Sequence, residues 1–276
     1  MPESKHVVTS DEVVAGLRAL GAGPGEIIFA HSSLSSFGWV DHGADTIIEA
    51  LIRSVSPGGT VVLPTLCQKD KERRFETWDI DTSPSEVGKI TEVFRQRPDT
   101  RRSDHPTHSV AALGPHTDQI ISGHGTACGR PGPWGPAAFG HGSPWDMFYR
   151  LNVLDCFLGV TFSCNTMRHY IQSRLVEEAL SHAPDAAETA AAVRGWCTPG
   201  VWPDYQGPMM QERLTALGLV TEATIGAAVC YSIRATEMVD NALAILRAEV
   251  DSWCPEDFRE WYHRCTDGTC RPDQPS

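Results

Sequence analysis

The strongest chemical signal in this sequence is a histidine in the first turn of a helix that follows a buried strand. Val153–Val160 reads as the strand, Phe162-Ser163-Cys164-Asn165-Thr166 as a turn, and the helix begins near Met167 and bears His169, Gln172 and Arg174. Residues just beyond the C-terminal ends of such strands line the crevice of an open α/β sheet. The partial positive charge of a helix start disfavours imidazolium, which leaves His169 neutral at pH 7 and able to take a proton, as a general base must. A histidine that only caps or packs fits the same pattern. Cys164 has a parallel ambiguity: a thiolate nucleophile with His169 as its partner, or a small core residue closing a strand.

Two further groups carry polar chemistry. His105 and His108 lie three apart in an extended loop held by Pro106, a spacing that could bind zinc if His124 or His141 supplied a third ligand. No metalloprotease helix motif accompanies them, so hydrogen bonding to loop backbone or contact with a ligand explains them equally, and no metal is expected. The run His31-Ser32-Ser33-Leu34-Ser35 comes directly off a strand and could offer N–H groups and hydroxyls to a phosphate or a pantetheine amide. An ordinary serine-rich loop would look the same. Neither Gly21-Ala22-Gly23-Pro24-Gly25 nor Gly123-His124-Gly125 has GxGxxG spacing between a strand and a helix, and no GxxxxGK[ST] occurs, which disfavours dehydrogenases and P-loop enzymes.

The elements that must position these residues alternate between strand and helix. Ser10-Asp11-Glu12 caps a helix with Val13, Val14, Leu17 and Leu20 on one face, and Glu26–Ala30 reads as a strand. A second helix carries Ile47, Ile48, Leu51, Ile52 and Val55, then feeds the strand Thr60–Leu63. This strand, helix, strand order means βαβ units and an α/β class. Ser83-Pro84-Ser85-Glu86 is expected to open a helix through Phe94, Ser109–Leu113 to be a strand, and Ser143-Pro144-Trp145-Asp146 to start a helix with proline at its first position. Glycine and proline recur from Gly123 to Gly142, the composition of an ordered surface loop. Beyond Pro184 the pattern predicts an alanine-rich helix, a Trp/Pro/Gly loop over Gly195–Pro208, a helix over Gln211–Leu217, a strand at Val229–Ile233 and an amphipathic helix over Thr236–Val250. One domain over residues 1–250, with room for two lobes, and a polar, cysteine-bearing, peripheral tail over 251–276 is the expected organisation.

Composition bounds the function. The 276 residues are 41% hydrophobic, enough for a large core without disulfides. Acidic residues exceed basic ones by 35 to 23, a formal charge of −12 that repels phosphate backbones and attracts cations, so nucleic acid is excluded as a partner. No apolar run approaches the roughly 20 residues of a bilayer span, and no membrane partner is expected. Nine cysteines, an odd number without any CxxC pair, fit a reducing compartment, and the cytoplasm is the expected location. Cys254, Cys265 and Cys270 with His263 form only a remote candidate for a structural metal.

Five ordered blocks resemble the aminoglycoside 3-N-acetyltransferase family of antibiotic N-acetyltransferases, from about residue 10 to 250. They are His31-Ser32-Ser33-Leu34 with Gly38, Gly58-Gly59-Thr60-Val61-Val62-Leu63-Pro64-Thr65, Thr82-Ser83-Pro84-Ser85-Glu86-Val87-Gly88, Arg102-Ser103-Asp104-His105-Pro106-Thr107-His108-Ser109-Val110, and Leu158-Gly159-Val160 followed by Asn165-Thr166-Met167-Arg168-His169. The resemblance implies a mixed β-sheet sandwiched by helices and direct transfer of an acetyl group from acetyl-CoA to an amine. It implies that His31, Ser32, Ser33, Leu34, Ser35, Arg102, Ser103 and His108 hold the coenzyme, that Thr166 lies near the thioester, and that His169 is the base. It further implies a small cationic acceptor, an aminoglycoside modified at its 3-amino group with antibiotic resistance as the outcome, and a homodimer is compatible with it.

The chain departs from the family at one position, because Gln172 stands three residues after the histidine where the family commonly has glutamate. A neutral amide can orient the ring without raising its basicity. Asp104 and Glu177 are the candidates to supply the missing charge. The alternatives that share these residues are an acyltransferase acting on a different amine, such as a natural-product intermediate, and a coenzyme- or antibiotic-binding homologue with weakened catalysis.

Overall fold

Six consecutive buried or nearly buried residues, Ile27–Ser32, make a strand that must be covered on both faces, which is the signature of a central strand in a helix-covered sheet. The computed structural model describes residues 6–67, 74–124, 139–182 and 202–267. Its elements in chain order are β1 (Val7–Val8), α1 (Ser10–Ala19), β2 (Ile27–Ser32), β3 (Trp39–Val40), α2 (Ala44–Val55), β4 (Thr60–Pro64), α3 (Arg74–Thr77), α4 (Lys89–Arg95), β5 (Arg101–Arg102) and β6 (Val110–Leu113). There follow α5 (Thr117–Ile121), α6 (Pro144–Arg150), β7 (Leu154–Leu158), α7 (Met167–His182), α8 (Gly207–Ala216), β8 (Thr221–Ile225), β9 (Ala228–Arg234), α9 (Ala235–Ala248), α10 (Val250–Trp253) and α11 (Glu256–Thr266).

The main sheet has seven strands in the order β5-β6-β4-β2-β7-β9-β8. Its centre, β4-β2-β7, is parallel, and the flanking pairs are antiparallel. Alternate residues of each central strand feed separate cores. Ile28, Ala30, Val61, Leu63 and Cys156 pack beneath α1, α2 and α4, whereas Phe29, Val62 and Phe157 pack against residues of α6, α7 and α9. This is the expected mixed sheet between helical layers, with one sheet running through both cores.

The local signals were mostly sound, and each miss has a physical reason. Ser143 caps α6 by accepting from the Asp146 N–H, with Pro144 in the first turn, as expected. The cap of α1 is Thr9 rather than Ser10, since the Thr9 hydroxyl accepts from Glu12 N. Residues 83–86 do not begin α4. Asp79 accepts from the backbone N–H groups of Asp81 and Thr82, and Ser83 O is taken by Arg102, so the helix waits until Lys89. The tail beyond Asp251 is not peripheral over its described part. Phe258, Trp261 and Cys265, spaced as one helical stripe, bury one face of α11 in the core that contains α7. The alanine-rich helix expected after Pro184, most of the Gly123–Gly142 loop, much of Gly195–Pro208 and Cys270 lie outside the described residues.

Candidate active site

The parallel strands β2, β4 and β7 finish on the same edge of the sheet, and the loops that leave them form a crevice there. Ser33 N donates to Leu158 O, carrying the β2–β7 pairing one step past the strands. Gly159 then turns with φ +69°, and a Cβ on it would sit 2.6 Å from the Ser36 side chain. Glycine therefore lets the loop after β7 lie directly on the serine loop after β2.

A cavity of about 430 Å³ opens at this edge, lined by His31, Ser32, His108, Cys164, Thr166 and His169 among others. A broader groove of about 860 Å³ continues from it and shares Ser32 and Val87 with it. Ser33, Leu34, Ser35, Trp39, His42, Gly88 and Lys89 are among the residues that line this groove. The two spaces together form a channel whose inner wall includes His169.

His169 is oriented by a chain of hydrogen bonds. Its Nδ1 lies 2.9 Å from Gln172 Oε1, and the Trp202 indole N–H donates to the same oxygen at 2.8 Å. An indole nitrogen can only donate, so that amide atom must be the oxygen, and the imidazole must carry its proton on Nδ1. Nε2 is left with the lone pair. On its other side Gln172 donates from Nε2 to Pro203 O and to Asp204 Oδ1, both at 3.2 Å. His108 and Phe139 pack on the ring, with centroids 5.5 and 5.2 Å away. Burial pushes the His169 imidazole down to about 4, opposed by the Gln172 hydrogen bond and, more weakly, by Asp204, and assisted by Arg168. The ring is a neutral base with a fixed tautomer at ordinary pH.

The sequence candidates are distributed unevenly around this channel. Thr166 lines the cavity, and its carbonyl accepts from His169 N at 3.0 Å. Ser32 lines both spaces, and its hydroxyl is enclosed without a hydrogen-bond partner among the described residues. Arg102 and Ser103 line neither space. The Arg102 guanidinium donates to Thr65 O, Thr65 Oγ1, Ser109 Oγ, Ile80 O and Ser83 O, and it stacks on Trp78. Ser103 Oγ accepts from Val110 N and pairs with His124 Nδ1. Both residues brace the loops behind the crevice instead of facing it.

The alternatives for metal and carboxylate resolve similarly. His105 stacks on His124 and its Nδ1 accepts from His108 N, while His141 pairs with Arg150 and Asp146. Among the described residues no group of three or more metal-ligating side chains gathers. Asp104 accepts from the Trp78 indole and Glu177 pairs with Arg174. The carboxylate joined to the base is Asp204, through Gln172. Trp202 and Asp204 escaped the sequence reading because they sit in an irregular Trp/Pro loop with no period to mark them. The one signal was the amide at 172, which demands a partner for each of its ends.

Comparison with known proteins gives a consistent picture. The aminoglycoside 3-N-acetyltransferase family profile matches residues 29–247. The chain is 30% identical to the SPbeta prophage-derived aminoglycoside N(3')-acetyltransferase-like protein YokD of Bacillus subtilis (strain 168), over 87% of this chain and 91% of that protein. It is 34% identical to aminoglycoside N(3)-acetyltransferase IV from Salmonella sp, over 57% of this chain and 56% of that enzyme. Among solved structures, a variant of the aminoglycoside acetyltransferase AAC(3)-IVa in complex with apramycin superposes with a TM-score of 0.66 at 26% identity, covering 89% of this chain and 95% of that one.

Proposed function

Since the chain belongs to the aminoglycoside 3-N-acetyltransferase family, a family of acyltransferases, we propose that it transfers an acetyl group from acetyl-CoA directly to the 3-amino group of an aminoglycoside. The observation that carries this reading is the His169 tautomer, a neutral imidazole with its lone pair on Nε2 in the wall of a cavity that shares Ser32 and Val87 with a broader groove. The channel suits such a group chemically. An unpartnered Ser32 hydroxyl waits at its neck, glycine at 88 leaves its wall without a side chain, and Lys89 and His42 are the basic groups lining it that a pyrophosphate would meet. When bound, acetyl-CoA supplies an acyl carbon already activated as a thioester.

The chain's own residues then divide the work. Ser32, Ser33, Leu34 and Ser35 hold the coenzyme arm, and Thr166 fixes the backbone at the start of α7. His169 Nε2 takes the proton that the acceptor nitrogen must shed. The imidazolium so formed keeps its Nδ1–H on Gln172, whose other end reaches the Asp204 carboxylate, so the new positive charge is steadied through an amide. A cationic acceptor is favoured by the formal −12 charge. The six described cysteines that are free thiols accord with a reducing compartment such as the cytoplasm as the site of action.

A panel of aminoglycosides incubated with acetyl-CoA and a thiol reagent tests cofactor, reaction and acceptor together. Release of CoA that depends on an aminoglycoside, with acetyl found on the 3-amino group, is the expected result. Binding of acetyl-CoA by calorimetry without turnover on any acceptor would overturn it in favour of a binding protein.

A further inference from the structure

A second histidine forms part of the same cavity wall and has an unusual neighbour. On the face of the sheet that meets α7, β2 presents Phe29 and His31 and β7 presents Asp155 and Phe157, with Phe29 opposite Asp155 and His31 opposite Phe157. The four side chains form a cross-strand square. The His31 ring stacks on Phe157 at 5.0 Å and meets the edge of Phe29 at 4.6 Å. Its Nε2 lies 3.8 Å from Asp155 Oδ1 across the diagonal.

Three polar atoms at this spot are enclosed and lack hydrogen bonds among the described residues: His31 Nε2 and both carboxyl oxygens of Asp155, a residue only 1% exposed. An ionised carboxylate enclosed by aromatic rings with no donor on either oxygen would cost several kcal/mol. The neutral alternative, a carboxylic acid beside a neutral imidazole, costs far less. In that form the acid proton has a basic acceptor nearby in His31 Nε2, about 1 Å beyond hydrogen-bond length. His31 must then carry its own proton on Nδ1, the nitrogen not enclosed with Asp155, while the ring lines the cavity with Ser32, Thr166 and His169.

We propose that Asp155 is a positioning residue which, as a buried carboxylic acid, fixes His31 in the Nδ1–H tautomer and so gives the acyl end of the channel a neutral N–H donor aimed at the carbonyl oxygen of the acyl group. Burial supports this, pushing the Asp155 carboxyl well above the usual carboxylate range and the His31 imidazole down to about 3. A neutral donor enclosed in a low-dielectric wall favours charge that develops on an oxygen and does not compete with His169 for the proton of the amine. Within the cavity His169 and His31 then have opposite tasks, His169 presenting a lone pair and His31 presenting a hydrogen. The assignment to an acyl group rests on the acetyltransfer reading above, whereas the tautomer does not.

The test is long-range ¹H–¹⁵N correlation spectroscopy of ¹⁵N-histidine-labelled protein without ligands, with the His31 signals identified by their loss in His31→Phe. An Nδ1–H tautomer at neutral pH is expected. Asp155→Leu, which replaces the acid with an apolar side chain of similar size, should release that preference and lower kcat about tenfold with KM for acetyl-CoA little changed. Asp155→Asn, whose amide can donate to Nε2, should restore both, and it serves also if the leucine variant does not fold. An Nε2–H tautomer in the wild type, or a tautomer and kcat unmoved in Asp155→Leu, would overturn the proposal. If no acyl donor turns over while the Nδ1–H tautomer is found, the acetyltransfer reading fails and the Asp155–His31 assignment survives.

Discussion

Two polar neighbourhoods flank the crevice, and they differ in how their hydrogen bonds are spent. Behind it, around the β5–β6 hairpin, the Arg102 guanidinium has an acceptor for each of its nitrogens, and Thr65, Ser103 and Ser109 bond to one another's strands. At the ends of β2 and β7, by contrast, Ser32 Oγ and Asn165 Oδ1 are enclosed and have no hydrogen-bond partner among the described residues. A buried polar atom without a partner costs about 1–3 kcal/mol, so a fold retains a cluster of them only where something else completes them. We read the satisfied neighbourhood as scaffold and the unsatisfied one as the place for a ligand. The family blocks embrace both regions, and geometry alone separates their duties.

The largest expected effect lies at the base. His169→Asn should lower kcat by about 10²–10⁴ while acetyl-CoA affinity, measured by calorimetry, stays near wild type. A kcat within threefold of wild type would remove His169 from the chemistry. On the scaffold side, Arg102→Ala strips five hydrogen bonds and the stack on Trp78, and should destabilise the fold by about 2–4 kcal/mol. Chemical denaturation reads that loss, and in the fraction that remains folded KM for acetyl-CoA should hardly move. A selective rise in that KM at unchanged stability would place Arg102 on the coenzyme and erase the contrast. Ser32→Ala is the mirror experiment with a smaller effect. The hydroxyl makes no bond to lose, so the melting temperature should hold while KM for acetyl-CoA rises up to about tenfold.

The sequence carried the scaffold of this picture well and its wiring less well. Helix-covered strands at β2, β4 and β7, the α6 cap and the position of His169 follow from apolar runs, a Ser-Pro start and a strand-to-helix turn, all of which are local signals. Strands of two residues, such as β3 and β5, are too short for any period to declare, and β8 is a solvent-facing edge strand with few apolar residues. The buried stripe of α11 was hidden by its charged flanks, since mean polarity says nothing of which face a helix turns inward. Trp202 and Asp204 reach Gln172 from 30 and 32 residues away along the chain, and nothing in the spacing of an irregular loop encodes such an approach.

Gln172 itself offers the finest test of how the base is held. With a neutral amide on Nδ1, burial dominates and His169 titrates at about 4, below the 6.5 of a free histidine. Between those values the unfolded chain binds a proton that the folded chain does not, so stability rises with pH across the window and is lost as pH falls from 6.5 toward 4. Gln172→Glu would place a carboxylate on the Nδ1–H and favour the imidazolium, raising the midpoint by roughly 1–2 pH units. That carboxylate would also face Asp204 where an amide now donates, so Asp204→Asn must accompany it to return a donor to the far oxygen. NMR titration of the His169 ring in the double variant should therefore show a higher midpoint and a narrower pH window of lost stability. A midpoint that stays at about 4 would mean that burial alone sets the basicity of His169, and that the bond from Gln172 orients the ring without tuning it.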